Sequence, residues 1–130
     1  MSTPPHLLLI DDEPALAEYV ASTARLCGFE PAVAANEASF RALFDSHAPG
    51  VVVLDLGMPG TDGVEYLRFL AGKNFAGPVL IVSGFDRRVL ESAFRLGSAL
   101  GLRMAGPLEK PVRLQELEDQ LMSLKGAALP

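Results

Sequence analysis

Carboxylates stand directly after two short apolar runs in this sequence. Asp11, Asp12 and Glu13 follow the run LLLI, and Asp55 follows the run VVVL. If both runs are strands that end at one edge of a sheet, these carboxylates share a crevice, where like charges about 4 Å apart repel by about 4 kcal/mol at an effective dielectric of 20. A hard cation with oxygen ligands would offset this repulsion, and Mg²⁺ suits such a site. The alternative is that Asp11, Asp12 and Glu13 only cap the following helix.

A hydroxyl and an ammonium follow two further segments. Ser83 comes directly after the run VLIV, and Lys110 precedes Pro111 after the last strand-like segment. Taken alone, a hydroxyl at a strand end or a surface lysine is unremarkable. Their occurrence together with the carboxylates, in the same position relative to four apolar segments, predicts one shared site.

The elements that must position these residues alternate along the chain. Short continuous apolar runs followed by turn residues predict strands buried on both faces, and apolar positions recurring every three or four residues predict helices. The predicted strands are 7–10, 29–34, 51–54, 79–82 and 102–105. Five helices lie after them, with apolar positions beginning near residues 16, 40, 64, 90 and 114 and helix boundaries suggested by Gly28, Asn36, an Asp62/Glu65 capping box, Gly72, Asp86 and Pro111.

Strict alternation of strands and helices predicts an α/β fold with a parallel sheet, because each right-handed crossover between parallel strands requires a helix-length connection. Five strands are too few for an eight-stranded barrel, so an open, doubly wound, three-layer α/β/α sheet of flavodoxin-like order 2-1-3-4-5 is expected. In this order the winding reverses between the first and third strands. Ligands bind outside the carboxyl ends of the strands at such a point, which is where the carboxylates are predicted to meet.

Composition limits the classes of protein this chain can represent. Its 130 residues, 49% of them apolar, are enough for one domain with a real core, which we place at 1–125 with a tail at 126–130. The net charge of −5 argues against nonspecific nucleic-acid binding, and no apolar run approaches the length of a membrane span. One cysteine and the absence of a secretory n-region make the cytoplasm the expected compartment.

The four motifs, in this order and at the ends of four predicted strands, resemble those of the receiver domain of two-component response regulators. The motifs are Asp11-Asp12, Asp55 in DLGMPGTDG, Ser83-Gly84 and Lys110-Pro111. The resemblance extends from about Leu7 to Leu124.

The resemblance implies a role for each residue of the site. Asp55 is implied as the phosphoacceptor, with Asp12, Asp55 and the carbonyl of Gly57 as direct Mg²⁺ ligands and Asp11 as a ligand through water. Ser83 and Lys110 are implied as partners of the phosphoryl oxygens. These roles agree with the chemistry of phosphoryl transfer, which needs in-line positioning and cations near the equatorial oxygens.

The implied function is signalling rather than enzymatic turnover. A histidine kinase or phosphotransfer protein would donate the phosphoryl group, and an effector would read the surface of the fourth helix, fifth strand and fifth helix. Two alternatives remain: a phosphorylation-independent binding module that keeps the pocket, and a phosphohydrolase of the haloacid-dehalogenase type. The second alternative fits less well because such enzymes place their nucleophile in Asp-x-Asp after the first strand, where this chain has adjacent aspartates.

Some positions depart from the receiver pattern or remain open. Pro107 stands three positions before Lys110, where receivers usually have an aromatic residue. Because proline has no aromatic ring, this sequence does not predict the usual coupling between the Ser83 hydroxyl and such a ring. The segment between Ser83 and Lys110 is longer than usual, which predicts an extended fourth helix, and residues 99–106 resemble those of receivers found beside EAL-type domains. Phe85 is expected either to shield the phosphorylated aspartate or to pack over the fourth helix.

The remaining reactive residue types have simpler interpretations. Cys27 lies on the apolar stripe of the first helix, which predicts a buried, inert thiol rather than a reactive one. His6 and His47 have no second ligand at metal spacing and are expected at the surface. The leucine stripe of the last helix, at 114, 117, 121 and 124, predicts core packing rather than a coiled coil.

Overall fold

The computed structural model describes residues 4–56, 63–84 and 87–128. Strands and helices alternate throughout. In chain order they are β1 (His6–Ile10), α1 (Pro14–Leu26), β2 (Glu30–Ala34), α2 (Glu37–His47), β3 (Val51–Asp55), α3 (Gly63–Gly72), β4 (Pro78–Ser83), α4 (Arg87–Ala99), β5 (Arg103–Glu109) and α5 (Leu114–Ala128).

The five strands form one parallel sheet in the order β2-β1-β3-β4-β5. This confirms the predicted α/β class and strand order. The three central strands are buried on both faces, which is why they appear in the sequence as continuous apolar runs instead of alternating ones.

Alternate residues of the central strands point into two separate hydrophobic layers. Leu7 and Leu9 pack in the layer that contains α1 and α5, whereas Leu8 and Ile10 pack in the layer that contains α2, α3 and α4. Phe40 is fully buried in the second layer, and its ring meets those of Tyr66 and Phe69 edge to face at centroid distances of 5.0 and 5.8 Å. Helices therefore pack on both faces of the sheet and hold in place the edge at which the strands end.

The helix boundaries follow local capping chemistry where the structure describes them. The Asn36 side chain accepts a hydrogen bond from the Ser39 backbone N–H at 2.9 Å and begins α2, as predicted. Gly28, with φ of +91°, follows the end of α1, where a side chain would be strained. The predicted boundary residues Asp62 and Asp86 lie outside the described residues.

The last strand is longer than predicted. The predicted strand ends at residue 105, just before Gly106 and Pro107, but β5 continues to Glu109. Leu80 pairs with Ala105 and Val82 with Leu108, so the single β4 residue between them faces two β5 residues. Gly106 and Pro107 therefore sit in a bulge, where a proline does not remove a required ladder hydrogen bond. The stretch from Ser83 to Lys110 is divided between a 13-residue α4 and a 7-residue β5.

The last helix packs on the sheet as expected, with one exception. Leu117, Leu121 and Leu124 are buried in the core, but Leu114 lies exposed at the start of α5. None of the helices in the described part of the chain is long and apolar enough to cross a bilayer.

Candidate functional site

The carboxyl ends of β1, β3, β4 and β5 lie side by side at one edge of the sheet, and each supplies a polar residue there. Asp11 follows β1, Asp55 ends β3, Ser83 ends β4 and Lys110 follows β5. Backbone pairing between neighbouring strands fixes the register of these residues. Asp55 lies opposite Val82, and the Lys110 N–H donates to the Ser83 carbonyl at 3.0 Å. The predicted convergence of four strand ends is therefore present.

Three carboxylates meet at this edge. Asp11, Asp12 and Asp55 each offer an oxygen, and these oxygens lie within 4.8 Å of one another. Asp11 and Asp55 are only 3% and 2% exposed, whereas Asp12 is exposed. Among the described residues this is the single group of three or more metal-ligating side chains so close together. Its all-oxygen donor set, partly open to solvent, fits a hard cation such as Mg²⁺.

The crowding of carboxylates is visible in the pKa of Asp11. Burial raises this pKa from 3.8 to about 6, and the charge of Asp55 together with a hydrogen bond to it contributes in the same direction. The Glu13 N–H, which donates to Asp11 Oδ1 at 2.9 Å, and the Lys110 charge oppose the rise. A cation bound at the cluster would relieve this unfavourable proximity of charges.

The helix-capping alternative for the acidic run accounts for less of the structure. Glu13 is the N-cap residue of α1, yet its side chain makes no capping hydrogen bond. Pro14 follows as the first helical residue, where the missing N–H costs nothing. Asp11 does accept from the Glu13 N–H, but that bond also holds the Asp11 carboxylate beside Asp55.

Lys110 supplies the cationic side of the site. Its ammonium Nζ lies 3.0 Å from Asp55 Oδ2 and 3.3 Å from Glu13 Oε1, and its side chain is 19% exposed. Burial, the largest single influence, lowers the pKa of Lys110. The hydrogen bonds to Asp55 and Glu13 and the charges of Asp55 and Asp11 outweigh it and raise that pKa above its ordinary value. The ammonium is therefore charged and held against Asp55. No pattern in the sequence pairs Glu13 with Lys110, because 97 residues separate them.

Ser83 is fully buried at the end of β4, one residue beyond the partner of Asp55 in the sheet. Gly84 follows it, and a Cβ at this position would be in van der Waals contact with the Lys110 side chain. The predicted ligand Gly57 and the predicted shield Phe85 lie outside the described residues. Pro107, at the position where an aromatic residue was expected from the receiver pattern, is half-buried in the β5 bulge.

Other residues considered from the sequence lie away from this edge. Cys27 is buried as predicted, and burial raises the pKa of its thiol. His47 is exposed as predicted, but His6 is half-buried, and the two rings lie 5.8 Å apart between centroids, with His6 Nε2 3.9 Å from Glu30 Oε2. The fold brings the two histidines together across 41 residues of sequence, which spacing alone did not reveal.

Fold and site together define a class of protein: a doubly wound α/β domain with an acidic, cation-fitting crevice and a lysine at the switch point of its sheet. The family model described as the response regulator receiver domain matches residues 7–122. The chain belongs to this family, which confirms the resemblance seen in the sequence. Domains of this kind are signalling modules rather than classical enzymes.

Individual relatives agree with this assignment. The chain is 34% identical to the transcriptional regulatory protein TrcR of Mycobacterium tuberculosis over 94% of its own length and 46% of that protein. It is 33% identical to the positive alginate biosynthesis regulatory protein of Pseudomonas aeruginosa, over 96% of its length and 48% of that protein. The chain thus spans about half the length of these curated relatives.

Solved structures show the same architecture. A response regulator from Colwellia psychrerythraea superimposes with a TM-score of 0.81 at 25% identity, covering 96% of this chain and 98% of that one. The receiver domain of the Francisella response regulator 1452 superimposes with a TM-score of 0.75 at 26% identity, covering 94% and 97% of the two chains.

Proposed function

We propose that this domain, spanning residues 1–125, accepts a phosphoryl group on Asp55 from a histidine kinase or phosphotransfer protein in the cytoplasm. One observation carries the proposal: the Asp55 carboxylate lies 3.0 Å from the Lys110 ammonium in the crevice that also holds Asp11 and Asp12. A nucleophilic carboxylate, a fixed cation and a hard-metal donor set at one strand edge are the parts that phosphoryl transfer requires.

In the proposed reaction, an Asp55 oxygen attacks the phosphorus of the donor phosphohistidine. The new P–O bond forms as the P–N bond breaks, and the electron pair of the P–N bond stays on the histidine nitrogen, which is protonated. With acetyl phosphate as donor, the broken bond is P–O and acetate leaves. Negative charge on the transferred group is spread over its equatorial oxygens, where Lys110 and Ser83 can each place a hydrogen-bond donor.

Asp12, Asp55 and the Gly57 carbonyl would hold Mg²⁺ directly and Asp11 would hold it through water, and the bound ion would supply positive charge that offsets the charge of the transferred group. The residues of this chain do the remaining work. Asp55 is only 2% exposed, so the carboxylate that would carry the phosphoryl group is itself shielded from bulk water. The Glu13 N–H bond to Asp11 keeps that carboxylate oriented toward the cluster.

For output, we propose that phosphorylation changes the surface formed by α4, β5 and α5, and that an effector domain or protein reads it. The Lys110 N–H bonds to the Ser83 carbonyl, so a shift of either residue is passed to the end of β5. Both relatives are named as regulatory proteins, TrcR as a transcriptional one, and both are about twice as long as this chain, which supports an effector partner. Hydrogen exchange of α4 and β5 with and without phosphorylation tests this: slowed or accelerated exchange there supports the proposal, and unchanged exchange contradicts it.

A phosphorylation-independent binding module is the second candidate, favoured by one observation: Pro107 stands where the family's switch aromatic is expected. A proline has a fixed φ and no ring that can rotate inward beside the hydroxyl. A module of this kind would keep the crevice and bind its partner without a phosphoryl group.

Intact mass after incubation with acetyl phosphate and Mg²⁺ separates these functions. We expect a phosphate-sized mass increase that is absent in Asp55→Asn and in the presence of a chelator. Asp45→Asn is the matched control, because Asp45 is an exposed aspartate that also pairs with a lysine, Lys73, at 3.2 Å. No adduct on the parent protein would favour the binding module, and rapid turnover of a phosphomonoester would favour a hydrolase.

A further inference from the structure

Glu13 makes a contact that the proposed phosphoryl transfer does not use. Its Oε1 lies 3.3 Å from Lys110 Nζ, and the same ammonium lies 3.0 Å from Asp55 Oδ2. The two carboxylates differ in exposure: Glu13 is 64% exposed and Asp55 is 2% exposed. The ammonium thus lies between an inner carboxylate and an outer one.

We propose that Glu13 is a positioning residue that acts through Lys110: it holds the ammonium on its outer side and competes with the incoming phosphoryl group for it. This inference rests on the proposed phosphorylation of Asp55 and names a determinant of its rate. A phosphoryl group bonded to Asp55 lies farther out than the Asp55 oxygen itself. It therefore approaches Lys110 from the side that Glu13 occupies, so Glu13 and the phosphoryl group compete for the N–H donors of one ammonium.

The local structure makes Glu13 suited to this role and makes the test clean. Its backbone is fixed, because its N–H donates to Asp11 Oδ1 and it directly precedes Pro14. Its side chain makes no capping bond to α1 and is exposed. Replacing the carboxylate by an amide of the same shape therefore removes the charge beside Lys110 and leaves the start of the helix intact.

The experiment compares Glu13→Gln with the parent at saturating Mg²⁺. Two quantities are measured: the rate constant of adduct formation with acetyl phosphate, and the affinity for beryllium fluoride, a phosphoryl-shaped anion, by fluorine NMR. We expect both to increase about two- to fivefold, the range that a partly exposed ion pair supports. Glu18→Gln is the matched control, because Glu18 is an exposed α1 glutamate paired with Arg25 at 3.6 Å, away from the crevice.

A double-mutant cycle tests whether Glu13 acts through the lysine. In a Lys110→Met background, Glu13→Gln should leave the beryllium fluoride affinity and the adduct rate unchanged. A full effect of Glu13→Gln in that background would mean that Glu13 repels the donor directly, and it would overturn the proposal.

Failure of this inference is distinguishable from failure of the proposed function. If the parent forms the adduct and binds beryllium fluoride but Glu13→Gln behaves identically, only the role of Glu13 is refuted. If the parent does neither, the phosphoacceptor proposal itself fails. Equal thermal unfolding of parent and variant excludes a folding defect as the cause of any difference.

Discussion

Replacing Asp11 by asparagine should stabilise the metal-free protein near neutral pH. The Asp11 carboxyl is buried beside Asp55, and its pKa rises from 3.8 to about 6. A tenfold change in an acid dissociation constant corresponds to about 1.4 kcal/mol. The raised pKa therefore makes the ionised Asp11 less favourable in the folded protein than in the unfolded chain by at most about 3 kcal/mol. The crevice opens to solvent at Asp12, so we expect about 1 to 2 kcal/mol.

The sign of the pH dependence follows from which state holds the proton. Between 3.8 and about 6, Asp11 keeps its proton in the folded protein but loses it in the unfolded chain. Its contribution to stability therefore falls as pH rises through this window, and the penalty is complete above it. Asparagine does not titrate, and its Oδ1 can still accept from the Glu13 N–H. The advantage of Asp11→Asn should thus be near zero at about pH 3, below the unfolded pKa, and complete at about pH 7.

Urea denaturation in a chelator, followed by circular dichroism at several pH values, measures this difference. Asp45→Asn is the control, because it removes an exposed aspartate far from the cluster and should give no gain at neutral pH. Added Mg²⁺ should reverse the order of stability, since the parent gains binding free energy that the variant loses in part. A variant no more stable than the parent at about pH 7, or a difference that does not change with pH, would refute the account of the acidic cluster.

The remaining predictions concern Lys110, the glycine pair Gly77 and Gly72, and Phe40. Lys110→Met should slow adduct formation with acetyl phosphate at least about tenfold, because it removes the ammonium 3.0 Å from Asp55, whereas Lys73→Met should leave the rate unchanged. Gly77→Ala should lower the free energy of unfolding by about 2 kcal/mol, because its Cβ would collide with the Gly50 carbonyl. Gly72→Ala, with open space at the end of α3, should instead stabilise by up to about 1 kcal/mol; equal effects in urea denaturation would contradict the packing. Phe40→Ala should cost about 3 to 5 kcal/mol because it empties a fully buried aromatic position, and a loss below about 1 kcal/mol would show that the α2 layer repacks.

The architecture was largely predictable because a strand buried on both faces has to be apolar at every position. LLLI, VVVL and VLIV carry this signature, and alternation with helix-length segments leaves a parallel sheet as the simple solution. The strand order followed from topological rules rather than from any one residue. The predicted end of β5 was wrong, because the strand continues through a bulge in which Pro107 does not have to donate a ladder hydrogen bond. This bulge depends on how β5 pairs with β4.

The candidate site, too, was predictable from the sequence only in part. The sequence by itself determined which residues follow the strand ends, because parallel strands bring all their carboxyl ends to one edge, and Asp11, Asp55, Ser83 and Lys110 were identified from that rule. Only the tertiary structure decided how charge is shared there: the burial that raises the pKa of Asp11, and the placement of Lys110 between Asp55 and Glu13. These properties depend on distance and on exclusion of water, and residues 97 positions apart acquire them only when the sheet and α1 are packed together.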